Sequence, residues 1–71
     1  MEYYLFEVAK GDPKIEGKAV ITYQTEDEAI GNFHSHMGTA MKSELYDYDL
    51  CIVVDSNGAI YENKKYERAK K

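Results

Sequence analysis

The pattern of hydrophobic and polar residues has a clear helical period in one segment of this chain. From Thr25 to Met41 the apolar positions recur every three to four residues, which is the period of a helix with one buried face. Thr25 is a favourable N-cap, and Glu28 three residues later is typical of a capping box. The apolar stripe comprises Ala29, Ile30, Phe33, Met37, Ala40 and Met41. The pattern predicts one amphipathic helix near the middle of the chain.

Two alternating segments on each side of this helix predict four strands. Residues 2–8 and 16–24 form the first pair, with a turn at 10–13 that contains Gly11 and Pro13. Residues 50–55 are the most apolar run in the chain, and an Asn-Gly turn separates them from a fourth strand at 59–63. The element order is therefore ββαββ.

This element order favours one sheet topology. A helical crossover makes strand three parallel to strand two and therefore antiparallel to strand one. If strand three lies beside strand one, every pair of neighbours is antiparallel and the most apolar strands are central. We therefore expect an α+β fold in which one helix covers one face of a four-stranded antiparallel sheet of order 2-1-3-4.

The face of the sheet that the helix leaves open is expected to be an oligomer surface, because an uncovered apolar face usually marks an interface. Both alternating sets of the strands are apolar. If Tyr4, Phe6, Ile52 and Val54 face the helix, the open set lies on the other side. That open set would be Tyr3, Leu5, Cys51, Val53 and Tyr61.

Length and charge limit the classes of function. A chain of 71 residues has room for one small core, so we expect one domain at 1–66 and a basic, frayed tail at 67–71. Residues 1–63 carry four lysines and twelve acidic residues, a balance of −8, whereas 64–71 carry five basic residues and one acidic residue, a balance of +4. An acidic body repels phosphate backbones, so we expect no general nucleic-acid binding. No signal-peptide pattern or membrane-length apolar run is present, so a cytoplasmic protein is expected.

A short acidic and aromatic segment is the candidate partner-binding loop. Tyrosine offers a large contact area with few rotatable bonds, which suits protein interfaces. Seven tyrosines in so short a chain are more than its core needs. The residues expected to dock on a basic protein surface are Glu44, Tyr46, Asp47, Tyr48 and Asp49. The alternative is a polar loop whose tyrosines lie over the sheet edge.

The arrangement of His34, His36 and Cys51 argues against catalysis. His34 and His36 lie two apart on the predicted helix, so their rings point about 160° apart and do not chelate one ion. Cys51 lies between Leu50 and Ile52, where a cysteine usually behaves as a small hydrophobe. We therefore expect no metal site, no cofactor and no enzymatic activity, and an enzyme that uses His34 or Cys51 is the weakest of the hypotheses.

A wider residue pattern resembles a known group of proteins. Its parts are Tyr23-Gln24-Thr25, Asp27-Glu28-Ala29, Phe33-His34, Gly38, Ala40-Met41, residues 50–55, Gly58, Ile60-Tyr61 and Tyr66-Glu67-Arg68. Together they are similar to small phage and prophage proteins from Firmicutes that have no assigned activity. The resemblance implies an accessory protein in the host cytoplasm that binds a host or phage protein, with inhibition of a defence or replication factor as one role. The alternative is a self-associating structural or assembly protein.

Overall fold

The computed structural model describes residues 1–11 and 15–68, which form four strands and one helix. The elements are β1 (Tyr3–Gly11), β2 (Ile15–Tyr23), α1 (Glu26–Lys42), β3 (Tyr46–Asp55) and β4 (Ile60–Glu67). The strands form one antiparallel sheet of order β2-β1-β3-β4. The predicted α+β fold and its strand order are therefore confirmed. The helix in this part of the chain is not long and apolar enough to cross a membrane.

The start of α1 follows from local chemistry. Thr25 has an extended backbone, and its side-chain oxygen accepts a hydrogen bond from the backbone N–H of Glu28 at 3.2 Å. The Thr25 hydroxyl also lies 3.1 Å from the Glu28 carboxylate. Three acidic residues in the first turn complement the positive end of the helix dipole. The predicted N-cap is therefore present.

We expect Thr25→Ala to lower the free energy of unfolding by about 1 kcal/mol, because an N–H at the helix start loses its acceptor. Urea unfolding followed by circular dichroism measures the change. Thr39→Ala is a matched control, because Thr39 is exposed inside the same helix and alanine there has the higher helix propensity. Equal losses in both variants would contradict the role of the cap.

The core lies between α1 and the two central strands. The helix residues Ala29, Phe33 and Met37 are buried against Leu5 of β1 and against β3. Their spacing of four residues places them on one side of the helix. Partly buried residues surround this centre, namely Tyr3, Tyr23, Ile30, Tyr61 and Tyr66. The helix is thus held mainly by packing on one face of the sheet.

The prediction of which sheet face is open was wrong. The residues expected on the open face, Tyr3, Leu5, Cys51, Val53 and Tyr61, all lie on the face that the helix covers. Leu5, Cys51 and Val53 have no exposed surface. The connection from β2 through α1 to β3 decides which face the helix takes, and this depends on the hand of the crossover. Alternation along a strand defines two sets of side chains but does not tell which set is covered.

Three strands are longer than predicted. β1 continues to Gly11, β3 begins at Tyr46, and β4 continues to Glu67, one residue past the predicted domain end. The added residues of β3 are polar, but they pair with Ala9, Lys10 and Gly11 of β1. Ladder hydrogen bonds from a neighbouring strand thus outweigh local composition. The end of the predicted tail, 69–71, lies outside the described residues.

Candidate functional site

The open face of the sheet carries eight apolar side chains in three adjacent cross-strand rows. These residues are Tyr4, Phe6, Val8, Val20, Leu50, Ile52, Val54 and Ile60. All are at least partly exposed, and Phe6, Val20 and Ile60 have 41%, 60% and 62% of their surface accessible. We call this set the open face. A continuous apolar surface of this kind is typical of an interaction site.

Charged residues flank the apolar rows at one end of the open face. Lys18 and Lys65 lie at the two edges of the row that contains Val8 and Leu50. In the next row, Glu16 pairs with Lys10 and Glu67 pairs with Tyr48. Lys65 and Glu67 also form an exposed ion pair at 3.2 Å. Both signs are therefore present at this end, although the chain as a whole carries a charge of −4.

The structure divides the predicted docking residues. Glu44 and Asp47 are exposed, and Tyr46 and Tyr48 are half-buried. Asp49 is fully buried, so its assignment to a docking surface was wrong. The segment was also expected to be a loop, yet everything from Tyr46 onward belongs to β3. Strand alternation turns the side chain of Asp49 toward the helix, so a protein partner at the surface does not contact it.

Arg68 fixes the turn that precedes β3. Its guanidinium donates hydrogen bonds to the carbonyl of Ser43 at 2.6 Å and to the carbonyl of Tyr46 at 3.0 Å. The backbone N–H of Arg68 donates to the carbonyl of Asp47 at 2.9 Å. The cation of Arg68 also lies 5.6 Å from the centre of the Tyr66 ring. This first part of the predicted tail is therefore ordered against the domain.

A polar cluster lies under the helix, between β1 and β3. Its centre is formed by Glu7, Asp49 and Cys51, whose candidate ligand atoms all lie within 4.8 Å of one another. The Cys51 thiol is 3.7 Å from Oε2 of Glu7 and 3.8 Å from Oδ2 of Asp49. His36 reaches the cluster from α1, with Nδ1 2.9 Å from Oε1 of Glu7. We call these four residues the polar cluster.

Sequence reasoning missed this cluster although part of the signal was present. Glu7 and Cys51 are directly opposed in the antiparallel register of β1 and β3. Asp49 is two residues before Cys51, so the two side chains share a face. The expected strand order thus brings a carboxylate next to the thiol once the register is known.

Burial and mutual repulsion shift the acidities within the polar cluster. Burial, together with the neighbouring Glu7, raises the pKa of Asp49 to about 7. Burial and the nearby Asp49 and Glu7 carboxylates raise the pKa of the Cys51 thiol well above its ordinary value. The thiol is therefore protonated at neutral pH in the isolated chain, which makes it a poor nucleophile.

A cleft leads from solvent to the edge of the polar cluster. Its volume is about 360 Å³, and it is lined by Glu7, Asn32, Ser35, His36, Thr39 and Tyr46. Glu7 has 17% of its side-chain surface exposed and His36 has 29%. Asp49 and Cys51 lie behind them with no exposed surface. Small molecules and ions thus meet Glu7 and His36 first.

The two histidines do different things, as their spacing predicts. His34 is exposed, and its ring lies edge-on to the ring of Phe33, with the two ring centres 5.2 Å apart. His36 faces the sheet and bonds to Glu7. Of the two, only His36 takes part in the polar cluster around Cys51. The alternative that pairs His34 with Cys51 has no geometric support among the described residues.

A second buried carboxylate organises the turn between β3 and β4. Asp55 accepts hydrogen bonds from the backbone N–H groups of Asn57 at 2.8 Å and Ala59 at 3.0 Å. Its other oxygen accepts the hydroxyl of Tyr61 at 2.7 Å. The Tyr61 hydrogen bond is the main cause that lowers the pKa of Asp55, and it raises the pKa of Tyr61 to about 12. Each polar atom here has a structural partner, so this group is part of the scaffold.

No protein-family model matches this chain, and searches of curated proteins and of solved structures return no match. The resemblance to phage and prophage proteins therefore stays a prediction.

Proposed function

We propose that this chain functions by self-association, as a homodimer that packs open face against open face. The single observation that carries the proposal is the continuous apolar surface on β1 and β3 that α1 leaves uncovered. Sheets that pack face to face bury their apolar side chains in a shared layer about 10 Å thick. A second copy supplies a surface of matching shape and polarity. The proposed role is structural, in an assembly in the cytoplasm.

Charge supports a second copy as the occupant. On the four strands, Lys10, Lys18 and Lys65 face the open side together with Glu16 and Glu67. This charge is close to balanced, although the whole chain is acidic. The acidic residues of the helix start and of the turn before β3 lie elsewhere. Repulsion between two acidic chains is therefore weakest when they meet through this face.

The size of the face also suits a dimer. Four strands spaced by about 4.8 Å and about 8 residues long give a flat area of roughly 500 Å². Two such faces bury on the order of 1,000 Å² or more, since side chains add relief to the flat area. Stable interfaces bury about 1,200 Å² or more in total, and weak or transient interfaces bury less. The proposed dimer lies near this lower limit, so its dissociation is measurable.

Phe6→Lys tests the dimer. It places a charge at the centre of the open face, where Phe6 lies between Val20 and Ile52. We expect the dissociation constant to rise at least about 30-fold, as for a central interface residue. Sedimentation velocity over a range of concentrations measures it, against the chain mass of 8.2 kDa.

Met41→Lys is the matched control for this experiment. Met41 is 46% exposed, similar to Phe6, but it lies on the helix. The control variant is expected to keep the wild-type dissociation constant. A monomeric wild-type chain at all concentrations, or equal weakening by both variants, would overturn the proposal.

A heterologous protein partner is the second proposal, favoured by one feature of the turn before β3. Leu45 is 53% exposed between Glu44 and the exposed Asp47, on a turn that Arg68 holds in place. A rigid acidic turn with an apolar tip suits a basic host or phage protein. The double variant Glu44→Lys with Asp47→Lys should then lose a partner that Phe6→Lys retains in affinity capture. Loss of the partner in Phe6→Lys alone would assign the contact to the open face.

A further inference from the structure

The polar cluster has the ligand types and the arrangement of a metal site. Glu7 and Cys51 are opposed across two neighbouring strands, and Asp49 lies beside Cys51 on the same face. A thiol and two carboxylates together form a donor set that zinc accepts. Because β1 and β3 are the two central strands of the sheet, these donors lie on strands that are hydrogen-bonded to a neighbour on both sides.

The distances in the cluster match tetrahedral zinc. With metal–sulfur and metal–oxygen bonds of about 2.3 and 2.1 Å, tetrahedral angles place a sulfur and an oxygen ligand about 3.6 Å apart. Cys51 Sγ lies 3.7 Å from Glu7 Oε2 and 3.8 Å from Asp49 Oδ2. Both sulfur–oxygen distances are therefore within about 0.2 Å of the value that tetrahedral zinc requires.

The carboxyl group of Asp49 is fully buried. Within residues 1–11 and 15–68 its hydrogen-bond partners belong to the polar cluster itself, namely the weak thiol of Cys51, at 3.8 and 3.9 Å, and the carboxyl group of Glu7. Lys64 is the neighbour of Cys51 on β4. Within the described residues it forms no ion pair with the polar cluster. A buried carboxylate needs either a proton or a cation.

His36 and the cleft complete the arrangement. His36 Nδ1 bonds to the Glu7 oxygen that points away from Cys51, so it orients Glu7 in the way that outer partners orient metal ligands. The cleft of about 360 Å³ gives an ion a path to Glu7 and leaves room for water. A fourth ligand can therefore come from solvent.

We propose that Glu7, Asp49 and Cys51 bind one Zn²⁺ ion per chain, with His36 as the positioning residue of Glu7. The site lies on the covered face of the sheet, opposite the proposed dimer surface. It is therefore independent of self-association, and either proposal can fail alone.

Titration of the chelator-treated, reduced chain with zinc chloride tests the site. Calorimetry should show saturable binding of one ion per chain. Cobalt(II) as a second probe should give a thiolate-to-cobalt charge-transfer band together with the visible spectrum of a tetrahedral ion. The cobalt spectrum of the wild-type chain needs no variant, so the test holds even where a substitution prevents folding. Absence of saturable zinc binding, or a cobalt spectrum without the thiolate band, would overturn the proposal.

Variants then assign the ligands. Cys51→Ser should abolish the charge-transfer band, and Glu7→Gln should weaken zinc binding at least tenfold. His36→Ala should weaken it about 10- to 100-fold while the band persists, as expected for a positioning residue. Glu62→Gln is the matched control, because Glu62 is a half-buried carboxylate on the same face of the sheet outside the cluster. Equal zinc affinity of Glu7→Gln and Glu62→Gln would exclude Glu7 as a ligand and disprove the proposed site.

Discussion

Phe33→Ala is expected to lower the free energy of unfolding by about 3–5 kcal/mol. Phe33 is 3% exposed and packs between α1 and the sheet, in contact with the core around Leu5 and Val53. Alanine has a higher helix propensity than phenylalanine, so the helix itself does not weaken. The loss therefore reports the packing of the helix on the sheet alone.

This loss is large for so short a chain. At 0.05–0.15 kcal/mol per residue, a domain of this length has a total stability of roughly 4–10 kcal/mol. Phe33→Ala should therefore be partly or fully unfolded at 37 °C. Urea unfolding at several protein concentrations measures the effect and separates it from any contribution of self-association.

The chain has a second phenylalanine that serves as the control. Phe6 is 41% exposed on the open face, so Phe6→Ala removes the same atoms without leaving a cavity in the core. At concentrations where the chain is monomeric, it should cost far less stability than Phe33→Ala. A larger loss at Phe6 than at Phe33 would contradict the assignment of the covered face.

Asp55→Ala is the second substitution with a large expected effect. It removes the acceptor for two backbone N–H groups and for the Tyr61 hydroxyl at once. These donors hold the turn between β3 and β4, where Gly58 has a positive φ of 88°. Donors left without a partner cost free energy beyond the lost bonds. We expect a greater loss of stability than for Thr25→Ala, and weaker hydrogen-exchange protection along β4.

The hydrogen bond between Tyr61 and Asp55 predicts that the stability of the fold depends on pH. The folded state lowers the pKa of Asp55 below its ordinary 3.8, so the unfolded state takes up a proton first as the pH falls. The stabilisation is therefore complete above pH 3.8 and is lost as the pH falls through the lowered value. At alkaline pH the Tyr61 hydroxyl titrates, and folding raises its pKa from 10.0 to about 12. The stabilisation from Tyr61 is therefore complete below pH 10 and is lost as the pH rises toward 12.

Tyr61→Phe isolates this contribution. It should raise the pKa of Asp55 toward its ordinary value, as followed by NMR of the carboxyl carbon, and reduce the acid-induced loss of stability. Tyr48→Phe is the control, because no hydrogen bond of its hydroxyl occurs within the described residues. An Asp55 pKa that is the same in Tyr61→Phe and the wild type would show that another group lowers it.

Much of the fold followed from the sequence, because those features depend on neighbours in the chain. Thr25 and Glu28 mark the helix start through hydrogen bonds within one turn. The turn before Gly58 depends on residues within four positions of Asp55. Strand order followed from the helical crossover together with two conditions, that every pair of neighbours is antiparallel and that the most apolar strands are central.

The candidate sites depended on contacts between distant residues, and there the predictions were incomplete. Tyr46 and Asp49 appear as loop residues in the sequence, but pairing with β1 makes them part of β3. Glu7 is 44 positions from Cys51, and nothing local indicates that the two meet. The open face itself was expected, but on the wrong set of side chains.

The sequence by itself determined the elements, their order and the presence of two apolar sets on the strands, because capping, turns and alternation are local properties. Only the tertiary structure decided which set the helix covers, since a pleated strand is equally apolar on both sides here. The same choice placed Leu5 in the core and Phe6 at the surface. It also enclosed Glu7, Asp49 and Cys51 beneath the helix, where the crossover and the β1–β3 register, rather than any local pattern, bring them together.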